Sequence, residues 1–158
     1  MEMKFANNVL PSNYVDPKEL PWVPTGLGGM ETKLCKVNPI TGQYIVLTKS
    51  PGGDQDVPAH LHHGPIIVYT IQGKWKYVEE EWVSGPGDVV FEPAGSLHRP
   101  VAISQDEDIM TFVVIDGALE FKDENGNTLF ISNWQTSLEK YHQYCAENGI
   151  EPVDVTRF

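Results

Sequence analysis

Short β-type runs, each closed by turn residues, dominate the middle of the 158-residue chain. Val, Ile, Thr and aromatic residues fill these runs, and Gly, Pro, Asn or Asp separate them, which is typical of strands joined by tight turns. Strands that recur roughly every 8–12 residues without intervening helices favour an antiparallel barrel or jelly roll. The sequence therefore predicts an all-β fold, with strands at residues 32–37, 43–49, 66–72, 75–78, 82–83, 89–92, 109–115, 119–122 and 129–132.

The N-terminal part of the chain lacks this alternation of short strands and turns. Residues 1–31 are rich in Pro, Asn and Gly and show no hydrophobic period, so we expect an irregular N-terminal arm in which Trp22 packs on the body of the protein. One domain is the default for a chain of this length. We expect it to consist of this arm, a barrel over residues 32–132, and a C-terminal helix and tail over residues 133–158.

The end of the chain has a helical period. Its apolar residues are spaced so that they share one helix face, and they are Trp134, Leu138, Tyr141 and Cys145. Ser132 with Gln135 three residues later is the pattern of a capping box, and Gly149 after Asn148 is a typical helix stop. The sequence predicts one amphipathic helix packed against the outside of the sheets.

A hairpin turn is predicted between the last two strands. Asn125 and Gly126 separate residues 119–122 from residues 129–132. Asn-Gly is the dipeptide that favours a type I′ turn, in which both central residues have positive φ. We therefore expect a type I′ hairpin here.

Net charge excludes two classes of partner. Lys and Arg number 11 against 22 Asp and Glu, so the formal net charge is −11. A surface this acidic repels phosphate backbones and anionic lipid heads, so we expect neither nucleic acid nor membrane as a partner. No apolar run approaches the length of a signal sequence or a membrane span. We expect a cytoplasmic protein in which Cys35 and Cys145 are free thiols.

Two histidines are spaced to share one face of a strand. His60 and His62 are two residues apart, and alternate residues of an extended strand point the same way. By the same parity His63 points to the opposite side. Such a pair is often only part of a core or a surface, so by itself it is weak evidence for a metal site.

A second motif strengthens the case for a metal site. From Gly87 the sequence runs through Pro93 and Gly95 to His98. This segment, together with His60, His62 and the later Gly73, resembles the two sequence motifs of the cupin superfamily. The resemblance implies a double-stranded β-helix, a jelly-roll barrel, with a metal site inside it.

The chain departs from the cupin pattern at its glutamate ligand. Ile66 and Ile67 occupy the positions where the first motif has Glu, and Ala102 replaces the final Asn of the second motif. Three neutral imidazoles would leave coordination positions open and the full charge of a divalent ion uncompensated, which favours an anionic chelating substrate such as an enolate. A structural zinc usually has four protein ligands, and the sequence offers no fourth. Imidazole suits Fe, Zn, Cu and Ni alike, so the ligands alone do not select the metal.

The chain also resembles one smaller group of cupins, and this resemblance implies a reaction. The Tyr-Thr-Ile-Gln-Gly-Lys-Trp stretch over residues 69–75 and the segment over residues 91–98 are similar to acetylacetone and 2,4′-dihydroxyacetophenone dioxygenases, which are three-histidine iron(II) cupins without a glutamate ligand. The resemblance implies His60, His62 and His98 as ligands of Fe(II). It also implies O2 as co-substrate and cleavage of a C–C bond next to a carbonyl in a β-diketone or α-hydroxyketone. No organic cofactor is implied.

Glu92 is the candidate catalytic residue. It ends an apolar run six residues before His98 and corresponds to a glutamate beside the metal ligands in the resembling group. A carboxylate there could hold a ligand imidazole by its N–H, or accept a substrate proton if its pKa is raised. A solvated glutamate at the edge of a loop is the plainer alternative.

Candidate substrate contacts come from strands that could line the barrel mouth. Phe112 is favoured because the resembling enzymes place an aromatic wall at this point. The other candidates are Val57, Tyr69, Tyr77 and Met110. Residues of these types on such strands are more often part of the core than substrate contacts.

Two other kinds of function stay open at this point. A non-oxygenase cupin, an isomerase or a hydrolase, would use Zn or Mn (with Ni a further alternative) as a Lewis acid. A ChrR-like zinc cupin would act as a sensor that binds a regulatory partner. For the enzyme we expect a small carbonyl substrate and a homodimer or higher homo-oligomer.

Overall fold

The computed structural model describes residues 10–53 and 55–157. The expected jelly-roll architecture is confirmed, with two main antiparallel sheets and one C-terminal helix. The strands are β1 Val23–Pro24, β2 Glu31–Val37, β3 Tyr44–Ser50, β4 His60–His62, β5 Ile66–Gln72, β6 Trp75–Tyr77, β7 Val89–Glu92, β8 Leu97–His98, β9 Pro100–Ala102, β10 Ile109–Ile115, β11 Leu119–Lys122 and β12 Thr128–Ser132, and helix α1 is Trp134–Asn148.

Two sheets enclose the interior. The larger has six strands in the order β1-β2-β3-β10-β5-β7, the smaller has four in the order β12-β11-β4-β8, and β6 pairs with β9 as a separate ribbon. All pairings are antiparallel. Among the described strands the sheets do not close into a continuous barrel, so the fold is a jelly-roll sandwich.

Side-chain alternation decides which residues face inward. Strand β10 alternates strictly between buried and half-buried positions, with Ile109, Thr111, Val113 and Ile115 on the buried side. On β5 the inward residues are buried while Ile67, Tyr69 and Ile71 are exposed on the outer face. One face of the six-stranded sheet therefore forms the core, as expected for an antiparallel sheet.

The structure differs from the predicted strands in two ways. Residues 82–83, predicted as a strand, lie outside any strand, and only Ser84 forms an isolated bridge with Trp75. Short strands that the sequence pattern did not reveal include β1, β8 and β9. They are only two or three residues long, too short for an alternating pattern to be read.

The N-terminal arm is more ordered than expected over the part that the structure describes, and its residues 1–9 lie outside that part. Strand β1 adds an edge strand to β2, and Leu20 and Val23 are buried in the core. The Trp22 ring lies against the ammonium groups of Lys33 and Lys49, at 5.0 and 4.8 Å. These contacts fasten the arm to the six-stranded sheet.

Helix α1 has the predicted extent and face, but its N-cap is one residue later than predicted. Asn133, not Ser132, caps it: the Asn133 side chain accepts from the backbone N–H of Gln135 and Thr136, and Thr136 completes the capping box. Ser132 is the last residue of β12. Gly149 ends the helix at φ 64°. No helix among the described residues is long and apolar enough to cross a membrane.

The β11–β12 hairpin is present, but its turn is not type I′. Gly126 has φ 81°, whereas no described non-glycine residue has positive φ, so Asn125 does not take the I′ conformation. Asp123 explains the difference, because its carboxylate accepts the backbone N–H groups of Asn125 and Asn127. This Asx-type bonding favours a longer loop with a bulge before Lys122.

Candidate metal centre

The histidines of both sequence motifs meet on one sheet. His60 and His62 lie on β4, and His98 ends β8, where its Cα pairs with that of His60. The His60 and His62 rings are stacked with centroids 4.8 Å apart, and the His98 ring lies edge-on to His62 at 4.8 Å. The two-residue spacing places His60 and His62 together as expected, and the pairing of β8 with β4 brings His98 beside them.

Glu92 reaches the histidines from the opposite sheet. It ends β7, pairs with Ile66, and is 2% exposed. Its Oε2 lies 2.8 Å from Nδ1 of His62 and 3.6 Å from Nε2 of His98. His62, Glu92 and His98 form a group of potential metal ligands whose ligand atoms all lie within 4.8 Å of one another.

The turn after Glu92 carries the chain from one sheet to the other. Gly95 has φ 85°, which favours glycine, and its N–H donates to the carbonyl of His62 at 2.7 Å. The backbone N–H of His62 in turn donates to the backbone carbonyl of Ser96 at 2.9 Å. The Pro-x-Gly part of the second motif thus ties β7 and β8 to the histidine strand.

Buried polar atoms without partners mark this cluster. Among the described residues, six buried side-chain atoms lack a hydrogen bond. Four of them belong to the group of potential ligands, namely His62 Nδ1 and Nε2, Glu92 Oε2 and His98 Nε2, and a fifth is Nδ1 of the adjacent His60, which is not a member of that group. Such atoms are costly unless something satisfies them. The 2.8 Å contact between His62 and Glu92 does not have hydrogen-bond geometry. Two ligand atoms bound to one ion at ~2.1 Å would be roughly 3 to 3.5 Å apart, and the distances of 2.8 and 3.6 Å from Glu92 Oε2 to the two histidines lie close to this range.

Burial keeps the imidazoles in the form that binds metals. Desolvation, and then the neighbouring His62, lower the pKa of His60 to about 4. Desolvation also lowers the pKa of His98, against the opposing effect of Glu92. Both rings are therefore neutral at pH 7, as metal coordination requires.

The carboxylate of Glu92 is ionised. Burial by itself would raise its pKa, but His62 and the Tyr77 hydroxyl lower it below its ordinary value. The Tyr77 hydroxyl donates to Glu92 Oε1, and the Tyr77 ring stacks on His98 at 3.9 Å between centroids. The raised pKa that a proton-accepting role would need is absent. The sequence-based expectation that no fourth ligand is available also needs correction, since Glu92 places a carboxylate beside the rings.

A cavity of about 190 Å³ adjoins the cluster. Both sheets line it, and His60, His62 and Glu92 form part of its wall. Two of the predicted substrate contacts, Val57 and Tyr77, also line it. Most of the remaining wall is aliphatic or aromatic.

Three predicted substrate contacts point the wrong way. Tyr69 is 43% exposed on the outer face of the six-stranded sheet, and Phe112 is its cross-strand partner there. Met110 shares the parity of Phe112, and none of these three lines the cavity. On β10 strand parity turns Thr111 inward, so the side chain of Phe112 does not form the expected aromatic wall of this cavity. Phe121, which the sequence reasoning missed, supplies an aromatic wall with its ring 5.3 Å from that of His60.

The remaining predicted side chains lie away from the cluster. His63 points to the outer face, as its parity predicts, and contacts Glu120 at 2.9 Å. Cys35 and Cys145 are free and buried. His142 is exposed on α1.

Comparison with solved structures places the whole chain in one fold family. An RmlC-like cupin protein from Ralstonia eutropha is 36% identical, with 99% of each chain covered and a TM-score of 0.89. An acetylacetone dioxygenase from Acinetobacter johnsonii is 19% identical, covering 86% of this chain and 93% of the other at a TM-score of 0.72, which shows the shared fold. A chain of the Rhodobacter sphaeroides SigE complex with the anti-sigma ChrR is 25% identical over 63% of this chain and 50% of that one, at a TM-score of 0.53.

No curated protein matches the sequence. The model of the ChrR cupin-like domain matches residues 11–120, which include all the cluster residues, the whole six-stranded sheet and strands β4 and β8 of the smaller sheet. The resemblance read from the histidine motifs is thereby confirmed at the level of the family. The chain belongs to the ChrR cupin-like family.

Proposed function

We propose that the protein is a mononuclear iron(II) dioxygenase that cleaves a C–C bond next to a carbonyl. The observation that carries the proposal is the cluster of unpartnered imidazole nitrogens and one carboxylate at the wall of an apolar cavity. The likeness to acetylacetone dioxygenases supports it, although at 19–20% identity that likeness concerns the fold alone.

His60, His62 and His98 are the proposed metal ligands. Glu92 acts either as a further ligand or as a negative charge beside His62, and the 2.8 Å contact, which lacks hydrogen-bond geometry, is compatible with both. When bound, Fe(II) would supply a Lewis-acid centre at which O2 and a chelating substrate meet.

Charge at the cluster favours an enolate. Imidazoles that coordinate a metal are neutral and the ionised Glu92 contributes one negative charge, so a divalent ion would retain about one positive charge. That residual charge suits a singly charged chelating anion. Tyr77 keeps Glu92 in place by donating its hydroxyl hydrogen to Oε1.

The cavity selects an uncharged, largely apolar substrate body. None of the described residues that line it is Lys or Arg, and its charged residue is Glu92. A carboxylate or phosphate on the substrate would be desolvated there without a counter-ion. A β-diketone or an α-hydroxyketone with an apolar substituent meets these conditions.

A second candidate is the ChrR-like zinc sensor that binds a regulatory partner. Its support is the family match and the likeness to a chain of the SigE–ChrR complex. A non-oxygenase isomerase or hydrolase that uses Zn, Mn or Ni would employ the same residues. All three candidates require the cluster, and they differ in the metal and in the use of O2.

A homo-oligomer is part of the proposal. The outer face of β5 and β7 exposes a continuous apolar patch of cross-strand neighbours, which are Ile67, Tyr69, Ile71, Val89 and Phe91. Exposed apolar patches of this kind are typical of interfaces. A second copy of the chain is the proposed partner.

Metal analysis combined with O2 uptake separates the candidates. The protein is purified without added metal, assayed for bound Fe, Zn, Mn and Ni, and then loaded anaerobically with each ion in turn. The proposal expects O2 uptake with Fe(II) and a diketone or hydroxyketone only. Bound zinc together with no O2 uptake under any loading would favour the sensor or Lewis-acid alternatives instead.

A further inference from the structure

A second cavity, of about 210 Å³, lies between the six-stranded sheet, β12 and helix α1. It adjoins the cavity of the metal cluster, because Leu27, Met30 and Phe121 are among the residues that line both. Most of its wall is aliphatic or aromatic, but the junction of β12 and α1 adds several hydroxyl groups. The proposed reaction makes no use of this second cavity.

Tyr44 places a buried phenol in the wall of the second cavity. The residue is 2% exposed, and its hydroxyl has no hydrogen-bond partner among the described residues. It is the sixth of the unpartnered buried atoms, and the other five lie on Glu92 and the three clustered histidines. Because a buried hydroxyl without a partner is costly, an occupant of the cavity that accepts its hydrogen would remove that cost.

Two serine hydroxyls lie beside this phenol. Ser132 ends β12, Ser137 belongs to the first turn of α1, and both line the second cavity. Burial raises the pKa of Tyr44 to about 12, and the two serine hydroxyls are close enough to act against that rise. Neither bonds to the phenol with acceptable geometry. Three hydroxyl groups are thus gathered at one point of an otherwise apolar wall.

Charge at the second cavity favours an anion. Lys140 of α1 lines it, and none of the described residues that line it is Asp or Glu. The Lys140 ammonium donates to the backbone carbonyl of Thr25 at 3.1 Å and belongs to none of the ion pairs between described residues. A cavity whose charged group is a cation is unexpected in a chain of net charge −11.

We propose that the second cavity binds a small monocarboxylate with an apolar body. The carboxylate oxygens would accept hydrogen bonds from the hydroxyls of Tyr44, Ser132 and Ser137, and the exposed Lys140 would balance the charge. A phosphate or a dicarboxylate would bring a further negative charge for which the lining residues offer no partner. The site does not depend on the proposed function.

The size of the second cavity limits the body of the ligand. A cavity of roughly 150 Å³ holds benzene, so the present one, at about 210 Å³, has room for a six-membered ring that carries a carboxylate. Apolar side chains, among them Leu34 and Phe130, would enclose such a ring.

Two probes of nearly equal shape test the site. Cyclohexanecarboxylate and cyclohexanecarboxamide differ in charge, and their Kd values are measured by NMR titration of the full-length protein. The backbone amide signals of Ser132 and Ser137 report on this cavity. The carboxylate should bind at least about tenfold more tightly than the carboxamide, because hydrogen bonds to a charged acceptor are stronger. Equal affinities, or no saturable shift of these two signals, would overturn the inference.

Tyr44→Phe removes the hydroxyl and keeps the ring. This variant should bind the carboxylate roughly 10- to 100-fold more weakly, while its stability in urea should not fall, since the hydroxyl has no partner to lose. Tyr144→Phe on α1 is the matched control and should bind as the parent does, because Tyr144 does not line the cavity. Parent-like affinity of Tyr44→Phe would overturn the inference, and so would a marked loss of stability, which would show that the hydroxyl is bonded within the protein.

Lys140→Gln tests the part that charge plays. It should weaken binding of the carboxylate about two- to fivefold and reduce the dependence of the Kd on salt. Lys74→Gln removes the same charge at an exposed position that does not line the second cavity, so it should change neither quantity. Equal effects of the two lysine variants would contradict an anion site at Lys140.

Discussion

Glu92 and His62 are brought within 2.8 Å of each other from opposite sheets of the sandwich. Glu92 ends β7 in the six-stranded sheet, and His62 ends β4 in the four-stranded sheet. Strands β7 and β4 do not pair, so the contact depends on the turn after Glu92, whose Gly95 N–H donates to the His62 carbonyl, and on the packing of the two sheets. The metal centre is thus a feature of the complete fold.

Replacing the Glu92 carboxylate by an amide tests its part in metal binding. Glu92→Gln keeps the size of the side chain but removes its negative charge, so metal affinity should fall about 10- to 100-fold. The measurement is a competition titration against a chelating dye. Glu120→Gln, on the outer face of the smaller sheet, should leave the affinity unchanged. Equal affinities of the two variants would remove Glu92 from the centre.

Histidine variants test which rings hold the ion. His98→Ala and His62→Ala should each lower metal affinity by at least about 100-fold, more than the loss of a supporting residue causes. His60→Ala should do the same if the three-histidine set is right. His63→Ala is the matched control, because His63 points to the outer face and contacts Glu120. Metal content is measured by mass spectrometry after gel filtration, and full retention of metal by His98→Ala would contradict the proposal.

Gly64 is expected to be irreplaceable for steric reasons. A Cβ at Gly64 would lie 2.2 Å from the backbone oxygen of Asp116, whereas at Gly85 the nearest atom would be 3.7 Å away. Neither residue has positive φ, so the comparison isolates the crowding. Gly64→Ala should lower the free energy of unfolding by about 1–3 kcal/mol or more, and Gly85→Ala much less. Urea denaturation measures both, and a Gly64→Ala protein as stable as the parent would show that the β4–β5 corner can relax.

The apolar patch on β5 and β7 should mediate self-association. Phe91 lies in this patch and is 65% exposed. The Phe91→Glu substitution would place a negative charge against the same residue, or against apolar residues, of the second copy of the chain. Analytical ultracentrifugation should then show a shift from dimer to monomer. Ile40→Glu, in the turn between β2 and β3, should leave the oligomer intact, although Ile40 is even more exposed. A parent protein that sediments as a monomer would contradict the interface.

Much of the fold could be predicted, because strand length and alternation are local properties. The strands β5, β7, β10 and β11 have the bounds that their apolar runs indicate. The helix was recognisable from its period. Its N-cap is one residue later than predicted, because the side chain of Asn133, and not that of Ser132, accepts the free backbone N–H groups of the first turn. The turn type at Asn125 was mispredicted because the Asp123 carboxylate accepts the backbone N–H groups of Asn125 and Asn127 and so stabilises a different loop conformation.

The site was only partly predictable, since parity along one strand does not fix which face is inside. His60 and His62 were placed together correctly by their spacing, but Phe112 and Met110 were assigned to the wrong face of β10. The inward direction depends on the register with β3 and β5. Phe112 was favoured because the resembling enzymes place an aromatic wall at this point, whereas in this chain the alternation of β10 turns Thr111 inward. The approach of Glu92 to His62 depends on the packing of two sheets and has no local signal.

Isotope labelling tests the central claim most directly. The protein loaded with Fe(II) is allowed to react with a β-diketone or an aryl hydroxyketone under ¹⁸O2, and the products are analysed by mass spectrometry. A dioxygenase that cleaves the C–C bond places one labelled oxygen in the carboxylic acid product, and the label should be absent with zinc in place of iron. An intact substrate, or an acid product whose new oxygen comes only from water, would contradict the account.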